Sequence, residues 1–141
     1  MEKFIVELLN EKFYLTCLDK NDAYPIIIKL LGSHLYQNYS ITQEEGDKIS
    51  ILAFLSEEQR QYIVDKSSCC LEYCCITIDT AVPALACSGM LNIITSLFAK
   101  HNISIMCTST FNRNYIYFPT EERQKVVDMF NQNPEYELSN N

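Results

Sequence analysis

Ser88, Gly89 and Met90 stand just ahead of a run with helical apolar spacing. A helix that opens at a Ser-Gly pair presents unpaired N–H groups and the positive end of its dipole, which together suit an anion. Further on, Ser104, Thr108, Ser109 and Thr110 carry hydroxyls, Phe111 adds a ring, and Asn112, Asn114 and Tyr115 follow. Backbone donors for a carboxylate, hydroxyls for an ammonium group and a ring for a side chain suit an amino acid or a similar small carboxylate. The candidate ligand-binding residues are therefore Ser88, Gly89, Met90, Ser109, Thr110 and Phe111. A bulky residue at Gly89 would obstruct such a ligand, so Gly89→Val is expected to block binding at little cost to the fold. Asp79 closes the preceding apolar run; it can receive the ammonium group, cap a helix or face water.

Other chemistry finds less support. The two histidines are His34 and His101, and His101 falls at a helix end, where histidine caps or solvates the terminus. Cys69-Cys70 and Cys74-Cys75 do not give the C-x-x-C spacing of a zinc site. No P-loop, G-x-G-x-x-G or G-x-S-x-G occurs. Neither catalytic residues nor a metal or cofactor is expected.

The balance of residues narrows the class. The chain has 141 residues, 48% hydrophobic and 21% charged, as in a folded globular protein. A net charge of −7 without a Lys/Arg stripe argues against a nucleic-acid partner. Seven cysteines, an odd number partly in adjacent pairs, do not form a disulfide framework, and the charged start is unlike a signal peptide. They read as reduced and mostly buried, in a cytoplasmic or nuclear protein. No uncharged apolar run is long enough to span a membrane.

The elements that must position the site follow in order. Residues 2–9 read as a strand or a brief helix, and 13–18 as a strand. Asp22 is placed to cap a helix starting near Ala23, with Pro25 in its first turn, Gly32 at its end, and Tyr24, Ile27, Ile28, Leu30 and Leu31 as its apolar surface. Residues 35–42 and 48–55 make a hairpin. Ser56 and Gln59 form a capping box for a helix over 57–66 that turns Ile63 and Val64 inward. Residues 69–79 are a strand. The helix from Met90 carries Ile93, Ile94, Leu97 and Phe98, and closes at His101 and Asn102. In the strand 103–110, Ile103, Ile105 and Cys107 share one face. Residues 112–114 are a turn and 115–118 a strand. Thr120 caps a last helix with Val126, Val127, Met129 and Phe130 inside, and 131–141 is a polar, fraying tail. The order β-α-β-β-α thus occurs twice, about sixty residues apart.

Cys87-Ser88-Gly89-Met90-Leu91, then Asn102-Ile103-Ser104-Ile105, Ser109-Thr110-Phe111 and Tyr115-Ile116, resemble the ACT domain. The likeness is nearest to the branch of aspartokinase regulatory regions, small tandem-ACT proteins and CASTOR-type arginine sensors. It implies an α+β fold of two ferredoxin-like ACT units, at 1–68 and 69–141, with antiparallel sheets covered by helices. It also implies a ligand at an ACT–ACT interface, held by Gly89 and Met90 through main-chain groups and by Ser109, Thr110 and Phe111 from the opposite wall. Where relatives carry Asp-Thr-Asp or similar, this chain has Asn112-Arg113-Asn114, which removes the acid expected beside a basic ligand. The expectation is a non-catalytic allosteric sensor, a homodimer acting on a protein partner. Competing readings are an interaction or structural ACT module that binds no ligand, and a small enzyme or kinase accessory subunit.

Overall fold

The computed structural model describes residues 4–33, 38–79 and 89–140. In chain order the elements are β1 (Phe4–Leu8), β2 (Phe13–Asp19), α1 (Lys20–Gly32), β3 (Ser40–Gln43), β4 (Lys48–Ala53), α2 (Glu57–Asp65) and β5 (Leu71–Asp79). There follow α3 (Met90–Lys100), β6 (Met106–Ser109), β7 (Arg113–Pro119), α4 (Arg123–Asn131) and β8 (Tyr136–Asn140). The chain is mixed α+β, with the ferredoxin-like order β-α-β-β-α. Its contacts form two compact units, residues 13–72 and residues 1–12 with 73–141. The expected division into 1–68 and 69–141 differs from this grouping at the first strand, because β1 finds its partners in β5 and β8.

In the unit 13–72, β4 lies between β2 and β3, antiparallel to both. Ala23, Ile26 and Leu30 of α1 and Ile63 of α2 cover Tyr14, Leu18, Ile49 and Ile51. α1 starts at Lys20, three residues before the expected Ala23, and Asp22 does not cap it. The Lys20 amide donates to the Asp47 carbonyl at 2.7 Å, so a first-turn N–H is satisfied without a side-chain cap. Of the expected apolar surface only Leu30 is buried and Ile27 half-buried; Tyr24, Ile28 and Leu31 face out. At α2 the expected capping box forms, with Gln59 N donating to Ser56 Oγ at 3.1 Å and Ser56 N to Gln59 Oε1 at 2.9 Å. Val64, about 100° around the helix from buried Ile63, is exposed instead of inward.

In the other unit the strand order is β8-β1-β5-β7-β6. All pairs are antiparallel except β1–β8, which is parallel and registers Phe4 with Tyr136. Ile94 and Phe98 of α3 and Val126, Met129 and Phe130 of α4 pack on Val6, Leu8, Ile76, Ile78, Ile116 and Phe118. Phe98 meets Phe130 edge-on at 5.9 Å, and Phe130 meets Tyr136 edge-on at 5.3 Å. Ile93 is exposed, not inward. The polar C-terminal stretch does not fray: Tyr136 and Leu138 alternate into the core and build β8. β6 begins only at Met106, so the alternation begun at Ile103 is broken and Cys107 is exposed. Thr120 opens a single 3₁₀ turn instead of capping α4, and its Oγ1 is buried without a partner among the described residues. Cys17 and Cys69 are also exposed; Cys74 and Cys75 are the buried pair.

Candidate functional site

Gly89 stands at the head of α3 with φ +90°, a left-handed conformation, and no side chain caps this helix. The Ile93 amide donates to the Gly89 carbonyl at 3.0 Å, closing the first turn. A Cβ added at Gly89 would meet nothing within 4 Å, so the space there is open. The positive φ nonetheless strains any L-residue, which corrects the expectation that Gly89→Val costs the fold little. Ser88 lies outside the described residues, and Met90 is the first residue of α3.

The residues expected on the opposite wall fall at the β6–β7 hairpin. Ser109 registers with Asn114, and its hydroxyl donates to Asn114 Oδ1 at 2.7 Å. The Thr110 amide donates to the Arg113 carbonyl at 2.8 Å, while Thr110 Oγ1 accepts from the Arg113 amide at 3.2 Å. Those hydroxyls therefore hold the hairpin closed. Phe111, at its tip, is 78% exposed. The structure thus brings Ser109 and Thr110 together around one turn and sets Phe111 out in solvent.

Asn114 was expected in the turn. It is instead the second residue of β7, only 4% exposed, and shares a face with the core residues Ile116 and Phe118. β5 registers Ile78 against it, one residue before that strand ends. The buried Thr77 hydroxyl donates to the Asn114 carbonyl at 3.1 Å, fixing the strand at this point. The signal that finds it is the period of two counted back from Phe118 and Ile116, which carries the strand through the polar Asn-Arg-Asn run.

Other titratable groups serve structure. His101 Nδ1 lies 3.0 Å from the Leu97 carbonyl, at the end of α3, and Asn102 takes φ +56° to stop the helix. Burial pushes the Tyr115 phenol up from its ordinary range, opposed by the Arg113 guanidinium. Arg113 and Glu7 approach at 3.7 Å. No three His, Cys, Asp or Glu side chains gather into a metal cluster among the described residues. No helix there is long and apolar enough to cross a membrane. Among the described residues, surface hollows lie elsewhere, in the unit 13–72. One is lined by Asp19, Lys20, Asn21, Asp22 and Asp47, the other by Pro25, Ile26, Lys29, Glu58, Gln59 and Tyr62.

No protein-family model and no curated protein matches the chain. Solved structures do. A protein from Agrobacterium tumefaciens has a TM-score of 0.73 at 17% identity, covering 100% of this chain and 96% of that one. The regulatory subunit of aspartate kinase from Thermus thermophilus, in its ligand-free form, has a TM-score of 0.63 at 10% identity, covering 90% and 95%. A structure of aspartokinase alpha and beta subunits gives 0.66 at 9% identity, covering 93% and 97%. Against a whole aspartate kinase from Clostridium acetobutylicum the TM-score is 0.59 at 12% identity, covering 85% of this chain and 32% of that one. Identities this low speak for the fold. That fold resembles the one seen in regulatory subunits of aspartate kinase.

Proposed function

We propose that this chain is a non-catalytic regulatory protein of two ACT-like units that binds an amino acid at the head of α3 and acts on a protein partner. Ser88, Gly89 and Met90 take the carboxylate through the helix start; Ser109, Thr110 and Phe111 form the facing wall. The observation that carries the reading is Asn114: a carboxamide nine-tenths buried beside the hairpin and braced at Oδ1 by Ser109. The neutral amide favours an uncharged or polar ligand side chain over a guanidinium. Resemblance to regulatory subunits of aspartate kinase supports the regulatory class. In this mechanism the ligand shifts the population between arrangements of the units, and the partner reads the shift.

Thermal-shift measurement against the twenty amino acids tests it. At a hundredfold excess over Kd, one of them is expected to raise Tm by roughly 10 °C. Ser109→Ala, which unbraces Asn114, is expected to remove most of that rise. Flat melting curves for all twenty would sink the sensor reading. They would leave the protein-interaction module, which the solvent-facing Phe111 and the hydroxyls consumed by the hairpin also favour.

A further inference from the structure

The chain leaves α2 through a strained turn. Ser67 takes φ +61°, a left-handed conformation that a residue with a Cβ enters at a cost. Residues 68–72 then run back along β2, and two contacts fix their course. Thr16 Oγ1 and Ser68 Oγ lie 3.2 Å apart, and the Tyr14 hydroxyl donates to Glu72 Oε1 at 3.2 Å. Going from Thr16 to Tyr14 thus means going from Ser68 to Glu72, so the two stretches are antiparallel. Cys70, between those contacts, packs on the core that holds Tyr14 and Leu18. Side chains alternate along extended chain, so Cys17 and Cys69 take the face away from that core. Both are exposed, as is Leu71 beside them. The Ser68 hydroxyl donates to the Cys17 carbonyl at 2.7 Å, which holds the chain next to Cys69 against Cys17. Opposed residues of antiparallel stretches have Cβ atoms about 4.5–5.5 Å apart, and a disulfide takes about 3.5–4.5 Å.

We propose that Cys17 and Cys69 are a dithiol that hydrogen peroxide converts to a reversible disulfide, clamping the unit 13–72. The Cys69 thiolate attacks one peroxide oxygen. The O–O bond breaks, Cys69 becomes a sulfenic acid, and the departing hydroxide takes up a proton as water. The Cys17 sulfur then attacks the Cys69 sulfur: the S–S bond forms, the S–O bond breaks and a second water leaves. Glu44 is placed to take the Cys17 proton, since the thiol donates to its Oε2 at 3.9 Å. Two thiols lose two hydrogens and one peroxide becomes two waters. Cys70 stays out of this exchange: it faces the core, and burial pushes its thiol up. The ring closed between 17 and 69 takes in α1, β3, β4 and α2, so it restricts the unfolded chain far more than the folded one.

The full chain, treated with hydrogen peroxide at neutral pH, is expected to lose two of its seven free thiols. Mass spectrometry of an unreduced digest is expected to find Cys17 joined to Cys69. Tm is expected to rise by at least about 5 °C and to return when dithiothreitol is added. Cys17→Ser is expected to abolish the rise and leave Cys69 as a sulfenic acid that dimedone traps; Cys70→Ser is expected to keep the link. These side chains lie outside the buried core, so the serine variants retain the fold. An oxidised chain whose Cys17 and Cys69 both remain free overturns the proposal. So does a bond from Cys69 to Cys70, or one between two chains, in place of the link to Cys17.

Discussion

Gly89 and Asn114 are exceptions to what their neighbours do, and each exception has a physical cause. Gly89 holds φ +90° at the head of a helix, where a Cβ would crowd the following carbonyl. Gly89→Ala is expected to lower stability by about 1–2 kcal/mol, and Gly89→Val by more, because a β-branched residue tolerates positive φ worst. Urea denaturation of the two variants checks the order. A loss in both separates backbone strain from blocking of the site, since the space around Gly89 is open. Asn114 departs from its neighbours in polarity: it sits where Ile116 and Phe118 are apolar. Its type was legible as a possible ligand group. Its position was not, because Asn-Arg-Asn carries strong turn chemistry, and the ladder of seven residue pairs with β5 overrides it.

Elements with a strong local pattern were readable from the chain, whereas the start of α1 and the whole of β8, which depend on distant contacts, were not. Ser56 and Gln59 are three residues apart, so the start of α2 is written in a stretch of four residues. The α3 stripe of Ile94 and Phe98 is similarly self-contained, although Ile93 beside it turned outward. The start of α1 depends on the Asp47 carbonyl, which no local pattern around Asp22 reveals. β8 is the sharpest case. Tyr136-Glu137-Leu138-Ser139 alternates, but four residues in a polar tail become a strand only because β1 offers a parallel edge. Tyr136, 5% exposed, joins that edge to the core through Phe130 and Phe4. Tyr136→Ala is expected to cost about 3–5 kcal/mol, with early loss of amide protection across residues 136–140 in hydrogen exchange. A variant as stable as the wild type would show that β8 adds nothing to the fold.

For the whole chain, buried groups that keep their protons set an alkaline limit. Burial raises the Cys75 thiol far above its ordinary value of 9.0, and it raises the Tyr14 and Tyr136 phenols as well. A weak acid with a raised folded pKa binds its proton more tightly when folded. Its stabilisation is therefore full below the unfolded pKa and is lost as pH rises beyond it. Stability is expected to fall above about pH 9, by as much as about 1.4 kcal/mol per pH unit for each thiol. Cys75→Ala is expected to flatten that slope, and urea midpoints at pH 7 and pH 10 measure it. An unchanged slope in the variant would exonerate Cys75. The position of β1 bears on how the chain is made. Its residues are made before either of its partners, so Val6 must wait for Ile78, and Phe4 for Tyr136. Residues 13–72 hold their own core and can close early. β1 meanwhile stays unpaired, a bare edge with Phe4, Ile5 and Val6 open to the wrong neighbour until β5 and β8 are synthesised.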